Sequence, residues 1–207
     1  MSYYSSGNSF GRTSPVVINL IILNVLVFVA QQLFDKPLEG VYLTDKLVLF
    51  PYESAGFKPY QLVTHMFAHA GIAHIAFNML NLYMFGSTLE KVWGAKRFFI
   101  FYFACGLAAA FAQMFLVRNG VSLGASGAVM GLFAAFAYLF PNTELYLFII
   151  PIPIKAKFMV PIMAALDLFG AFGPLQSGIA HWAHLGGLAM GFILVLIWNK
   201  ANKKTFY

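Results

Sequence analysis

The strongest constraint on this chain is a series of apolar runs long enough to cross a lipid bilayer. A bilayer core takes about 20 predominantly apolar residues per helix. The first run, Pro15 to Phe34, has Asn19 and Asn24 as its only strongly polar residues before Gln31 and Gln32. Ser14-Pro15 reads as an N-cap followed by proline at the first helical position. A cleaved signal peptide would need a basic leader and a small-residue cleavage site; Arg12 is the only charge before this run, so it is read as a span. Composition agrees. Only 10% of the chain is charged and 60% is hydrophobic, against about 25% charged residues in a soluble domain. A soluble fold would lack the polar surface to stay dissolved. Disorder, a collagen repeat and a disulfide scaffold are excluded too, and Cys105 is the single cysteine.

Further runs follow. The segment from Asp35 to Tyr60 is polar and reads as a long loop outside the core. The second run, Gln61 to Phe85, carries three histidines in its first half. A short charged turn, Glu90-Lys91 to Lys96-Arg97, precedes the third run, Phe98 to Val117. The fourth, Gly124 to Phe140, stops at Pro141-Asn142. Leu145 to Ile154 is apolar but short and broken by Pro151 and Pro153, so it reads as a re-entrant or interfacial connection. The fifth run, Phe158 to Phe172, contains Pro161 and Asp167. Gly173-Pro174 and Ser177-Gly178 mark a loop, and the sixth run is His181 to Trp198. The expected fold is an all-α polytopic membrane protein, a six-transmembrane-helix bundle. Residues 15–199 form its membrane domain, between a short cytoplasmic segment (1–14) and a basic cytoplasmic tail (200–207).

Six helices put both termini on one side. With cytoplasmic termini, nine Lys and Arg lie inside and four outside (Lys36, Lys46, Lys58 and Arg118), as the positive-inside rule favours. The net charge of +6 therefore reflects orientation in a bilayer. No basic run with interleaved exposed aromatics suggests a nucleic-acid partner.

Ionisable and polar groups inside spans are costly and mark functional candidates. All five histidines, His65, His69, His74, His181 and His184, fall in the second and sixth runs, toward the outer half. Ser126 opens the fourth run, also at its outer end. It sits among small residues, Gly124-Ala125-Ser126-Gly127. Gly127 and Gly131 form G-x-x-x-G, which permits close helix contact; Gly187 and Gly191 repeat the device. His184 lies three residues before Gly187, on the same face. A lone serine in such a seam reads as packing. The matched glycine face on the histidine helix favours Ser126 as nucleophile and His184 as base. His74 and Asn78, four apart, both donate hydrogen bonds and suit an oxyanion; polar glue between helices is the rival reading. A metal site lacks ligands: there is no His-Glu-x-x-His, Cys105 is remote, and Asp167 is the only carboxylate in these spans. Asp167 reads as a structural polar contact rather than a triad member, because an ionised carboxylate in lipid is expensive. No cofactor is expected. The fifth helix, short and interrupted by Pro161, and the Gly173-Pro174 to Gly178 loop after it read as a mobile lid with Phe172 and Trp182 as bulky plugs.

These motifs together resemble the rhomboid family of intramembrane serine proteases over most of the chain. The second-helix pattern is His65, His69, His74 and Asn78 within HMFAHAGIAHIAFNMLNLYMFG. Gly86, Glu90 and WGAKRF resemble the following turn. The G-x-S-G motif is Gly124 to Gly127, and H-x-x-G-x-x-x-G is His184, Gly187 and Gly191. The Ile152 to Lys157 connection is also similar. The resemblance implies a Ser126–His184 dyad with no required Asp. It implies an oxyanion hole of His74, Asn78 and the Ser126 amide, and a substrate that is itself a transmembrane segment of another protein in the bilayer. The location implied is a bacterial inner or plasma membrane, with the active site toward the outer side. The Trp-Arg pair that many bacterial members carry in the first loop is missing from Asp35 to Tyr60. The alternative is a non-catalytic rhomboid-like protein that binds membrane proteins; such relatives typically lose the Ser or the His, and both remain here. A transporter with a histidine proton relay would predict an inverted repeat, which the sequence does not show.

Overall fold

The structure is a computed structural model that describes residues 14–36, 40, 42–147, 150–172 and 180–201. The first thirteen residues, the loop around Gly173 to Gly178 and the tail after residue 201 lie outside the described residues.

Helix α1 (Pro15–Phe34) starts at proline, whose fixed φ suits the first helical position. Its buried face is Val17, Leu20, Asn24 and Gln31, at three- and four-residue multiples. Its outer face exposes Ile22, Leu26 and Leu33. Polar groups inside and apolar groups outside reverse the pattern of a helix that faces water. Ser14 does not cap α1 through its side chain. Glu90 does: its carboxylate accepts from the N–H groups of Val16 at 3.0 Å and Val17 at 2.9 Å. A carboxylate there also complements the positive end of the helix dipole.

The first loop holds a short helix, α2 (Leu43–Leu47). The Gln31 amide donates to Thr44 Oγ1 at 2.7 Å, and Thr64 Oγ1 donates to Leu47 O at 2.8 Å. The second run differs from expectation. It opens with α3 (Gln61–Thr64) and a 3-10 turn, His65–Phe67, then breaks where Ala68 turns extended (φ −83°, ψ 143°). Helix α4 (Ile72–Asn81) begins after Gly71, passes through a π turn at Leu82–Gly86 and continues as α5 (Ser87–Trp93). Glu90 and Lys91 are thus helical, and the turn narrows to Gly94, whose φ of +79° favours glycine. His65 and His69 consequently do not share one helix face.

Helix α6 (Ala95–Leu116) and helix α7 (Ser126–Leu139) follow. Strands β1 (Glu144–Leu147) and β2 (Ile150–Lys155) pair antiparallel, with Glu144 opposite Lys155 and Tyr146 opposite Pro153. The segment expected to be a non-spanning connection is a hairpin. Two strands have only edges, so proline removes no bond from a central ladder. Helix α8 (Ala156–Phe172) contains Pro161, and α9 (His181–Ala201) closes the bundle.

Helix α7 is the centre. All its residues except Ser126, Met130, Tyr138 and Leu139 are buried, as expected of a helix that is apolar all round. It packs against α6 and α9, over a core that includes Phe98, Phe101, Tyr102 and Leu132. Helices α1, α6 and α9 are long and apolar enough to cross a membrane, and α7 is a shorter apolar helix. The chain is a polytopic helical membrane bundle.

Candidate active site

Ser126 is the first residue of α7, so its N–H has no acceptor within the helix. The chain reaches it along a pinned path. Ser122 and Leu49 exchange two backbone hydrogen bonds of 2.9 Å, which ties this path to the first loop, and the Gly124 N–H donates to His65 O at 2.8 Å. Gly124 has φ +117°, and a Cβ there would lie 2.9 Å from the His74 ring. Both facts demand glycine.

The glycine seam decides what meets Ser126. A Cβ on Gly187 would run into the carbonyl oxygen of Gly127, and one on Gly191 into that of Gly131. A Cβ on Gly131 would meet Cys105 Sγ of α6, and one on Gly127 would meet Ala109. Backbones of α7 and α9 therefore touch, which only side-chain-free positions permit. His184 precedes Gly187 by nearly one turn, and Ser126 directly precedes Gly127. Their side chains meet, with His184 Nε2 2.8 Å from Ser126 Oγ.

His74 and Asn78 stand one turn apart on α4, and the His74 ring approaches the start of α7. The spot one bond above Gly124 Cα lies 2.9 Å from His74 Nε2 and 3.8 Å from Ser126 Oγ, so these atoms share one small space. His74 Nδ1 accepts a long hydrogen bond, 3.4 Å, from the Ala70 N–H. That leaves the proton on Nε2, the nitrogen beside Gly124. Asn78 is buried, and its amide donates one hydrogen to His74 O at 2.9 Å; its second N–H is left for another acceptor.

The other two histidines of this segment serve the frame. His65 is buried, with Nδ1 2.8 Å from Gln61 O. The His69 N–H donates to Gln31 Oε1 at 3.0 Å. Asp167 is nearer the chemistry than the sequence suggests: its Oδ1 lies 3.0 Å from His184 Nδ1 and 2.8 Å from His181 Nδ1. The cost of a lone ionised Asp in lipid argued against this, but two imidazole donors offset it. One signal was present in the sequence, since His181 and His184 are spaced to share a face toward a single carboxylate. The rings of Phe172 and Trp182 contact edge-on, with centroids 5.3 Å apart.

The chain is similar to known proteins. The chain is 34% identical over 150 residues to Rhomboid protein 1, mitochondrial, of Saccharomyces cerevisiae, covering 69% of this chain and 43% of that one. It is 35% identical over 134 residues to Rhomboid protease GluP of Bacillus subtilis, covering 64% of this chain and 25% of that one. Several relatives are thus much longer than the part this chain spans. Putative rhomboid protease YdcA of Bacillus subtilis matches nearly end to end, 30% identical with 96% of both chains covered. Residues 56–201, from the end of the first loop through α9, match the Rhomboid domain. Ser126, His184, His74, Asn78 and Asp167 all fall inside that range, and the chain belongs to the rhomboid family.

Proposed function

We propose that the protein is an intramembrane serine endopeptidase that cleaves transmembrane segments of other membrane proteins through an acyl-enzyme. The observation that carries this reading is the 2.8 Å contact between Ser126 Oγ and His184 Nε2. Ser126 Oγ attacks the peptide carbonyl carbon as its proton passes to His184 Nε2. The carbonyl electrons move to oxygen, and that oxyanion accepts from the Ser126 N–H, His74 Nε2–H and Asn78 Nδ2–H. Its collapse breaks the C–N bond, and His184 returns the proton to the leaving amine. Water then attacks the ester with His184 as base, releasing the new carboxyl end and free Ser126.

The depth of the site suits this substrate. A helix of 14 residues spans about 21 Å at about 1.5 Å per residue, short of a core about 30 Å thick. Its first residue, Ser126, would sit below one membrane surface, where the polar end of the histidine segment admits water. Cytoplasmic termini, a six-span topology and a bacterial inner membrane complete the proposed setting.

Proteolysis of a single-span substrate in liposomes, wild type against Ser126→Ala, tests the proposal. Substantial cleavage by the variant would refute it. Asn78→Ala is expected to lower kcat on the order of 10²-fold with little change in KM, the usual effect of removing one oxyanion donor. Steady-state kinetics showing an unchanged kcat and a raised KM would make Asn78 a binding residue instead.

Entry of a helical substrate needs a lateral opening, which we assign to α8 with Phe172 and Trp182 as plugs. The outer face of α8, Phe158, Ile162, Leu166 and Phe169, is exposed, and Pro161 inside the helix removes one backbone hydrogen bond. Phe172→Ala is expected to preserve or raise the cleavage rate of a transmembrane substrate. A rate reduced tenfold or more, on the order of 1.4 kcal/mol, would contradict the plug.

A further inference from the structure

Asp167 is a carboxylate in an apolar helix, and the joint around it is built from both sides. Its side chain is 9% exposed, with Oδ1 2.8 Å from His181 Nδ1 and 3.0 Å from His184 Nδ1. The two imidazoles stand three residues apart on α9, so they share a face. On α8, Gly170 stands three residues after Asp167. A Cβ there would strike the His181 ring. One turn of α8 thus offers a carboxylate and a missing side chain, and one turn of α9 fills both.

The chemistry of this joint fixes a tautomer. An ionised carboxylate only accepts hydrogen bonds, so each Nδ1 facing it carries hydrogen. His184 then keeps its lone pair at Nε2, toward Ser126 Oγ. That is the form a base needs to take the serine proton. We infer that Asp167 is the positioning residue for His184, with His181 holding the carboxylate in place. The nucleophile and base become the end of a chain, Asp167–His184–Ser126, that crosses α8, α9 and α7. Because Asp167 stands on α8, the base is oriented only while α8 is docked against α9. Its consequence for catalysis rests on the protease reading; the orientation of the ring does not.

Nitrogen-15 NMR of histidine-labelled protein in detergent reads the tautomer directly. His184 is expected as Nδ1–H in the wild type, shifting toward Nε2–H in Asp167→Asn. A wild-type His184 protonated at Nε2 alone overturns the inference, whatever the activity or the stability of the variant. In the cleavage assay, Asp167→Asn is expected to lose about 10²- to 10⁴-fold in kcat with KM little changed. Asp167→Glu, which keeps the carboxylate, is expected to recover part of that loss. Labelling of Ser126 by a fluorophosphonate, which needs no helical substrate to enter, should slow in parallel. If cleavage falls while labelling is unchanged, Asp167 serves entry rather than the base, and the inference fails. A wild type that neither cleaves nor labels at Ser126 defeats the protease reading, while the tautomer still decides this one.

Discussion

Ser126→Ala and His184→Ala should each reduce cleavage to background, a loss on the order of 10⁶-fold for residues that act as one unit. The double variant should lose almost nothing more. The reason is geometric: each side chain is useful only at 2.8 Å from the other. Without His184 no group takes the serine proton, and without Ser126 the imidazole has nothing to activate. The measurement is a cycle of four proteins, wild type, the two single variants and the double, assayed in liposomes on one single-span substrate. Unchanged thermal midpoints in detergent would show that the folds are intact. Losses that multiply in the double variant would mean the two residues act separately, which the shared hydrogen bond does not allow.

The second large effect concerns a position with no chemistry. Gly187→Ala adds one methyl group, and that methyl would occupy the place of the Gly127 carbonyl oxygen. The obstacle is backbone, so no rotamer change relieves it. Helices α7 and α9 must separate, at a cost of about 3 kcal/mol, the upper range for overpacking a tight core. His184 moves with α9, so cleavage should fall together with thermal stability. Ala189→Val, at an exposed site on the same helix, should stay within about 0.5 kcal/mol of wild type, as surface changes do. Thermal midpoints in detergent separate the two. A Gly187→Ala protein that melts and cleaves like wild type would show that the seam is not in contact.

Much of this was legible in the sequence because lipid imposes a coarse rule. A long apolar run must satisfy its own backbone, and a helix does that. Small residues at four-residue spacing on two such helices then announce which faces meet, and this brought Ser126 and His184 together on paper. What escaped was whatever depends on a partner distant in sequence. Hydropathy runs smoothly through Ala68 to Gly71, yet the backbone breaks there, because Gln31 holds the His69 amide and carbonyl from α1. Asp167 looked expensive when considered alone, and its two donors lie on another helix. Ser14 looked like a cap because the sequence before Pro15 offers nothing else; the true acceptor is Glu90. The hairpin after α7 was hidden by Pro151 and Pro153, which count against a strand only when the strand is central.

That distant cap bears on the order in which the protein is made. The amides of Val16 and Val17 find their carboxylate 74 and 73 positions later in the chain. A ribosome that has delivered α1 to the bilayer has not yet delivered the group that finishes it. Until residue 90 emerges, the first turn of α1 holds bare N–H groups, which must stay hydrated. Glu90 stands on α5, so the first turn of α1 is completed only by a helix made well after it.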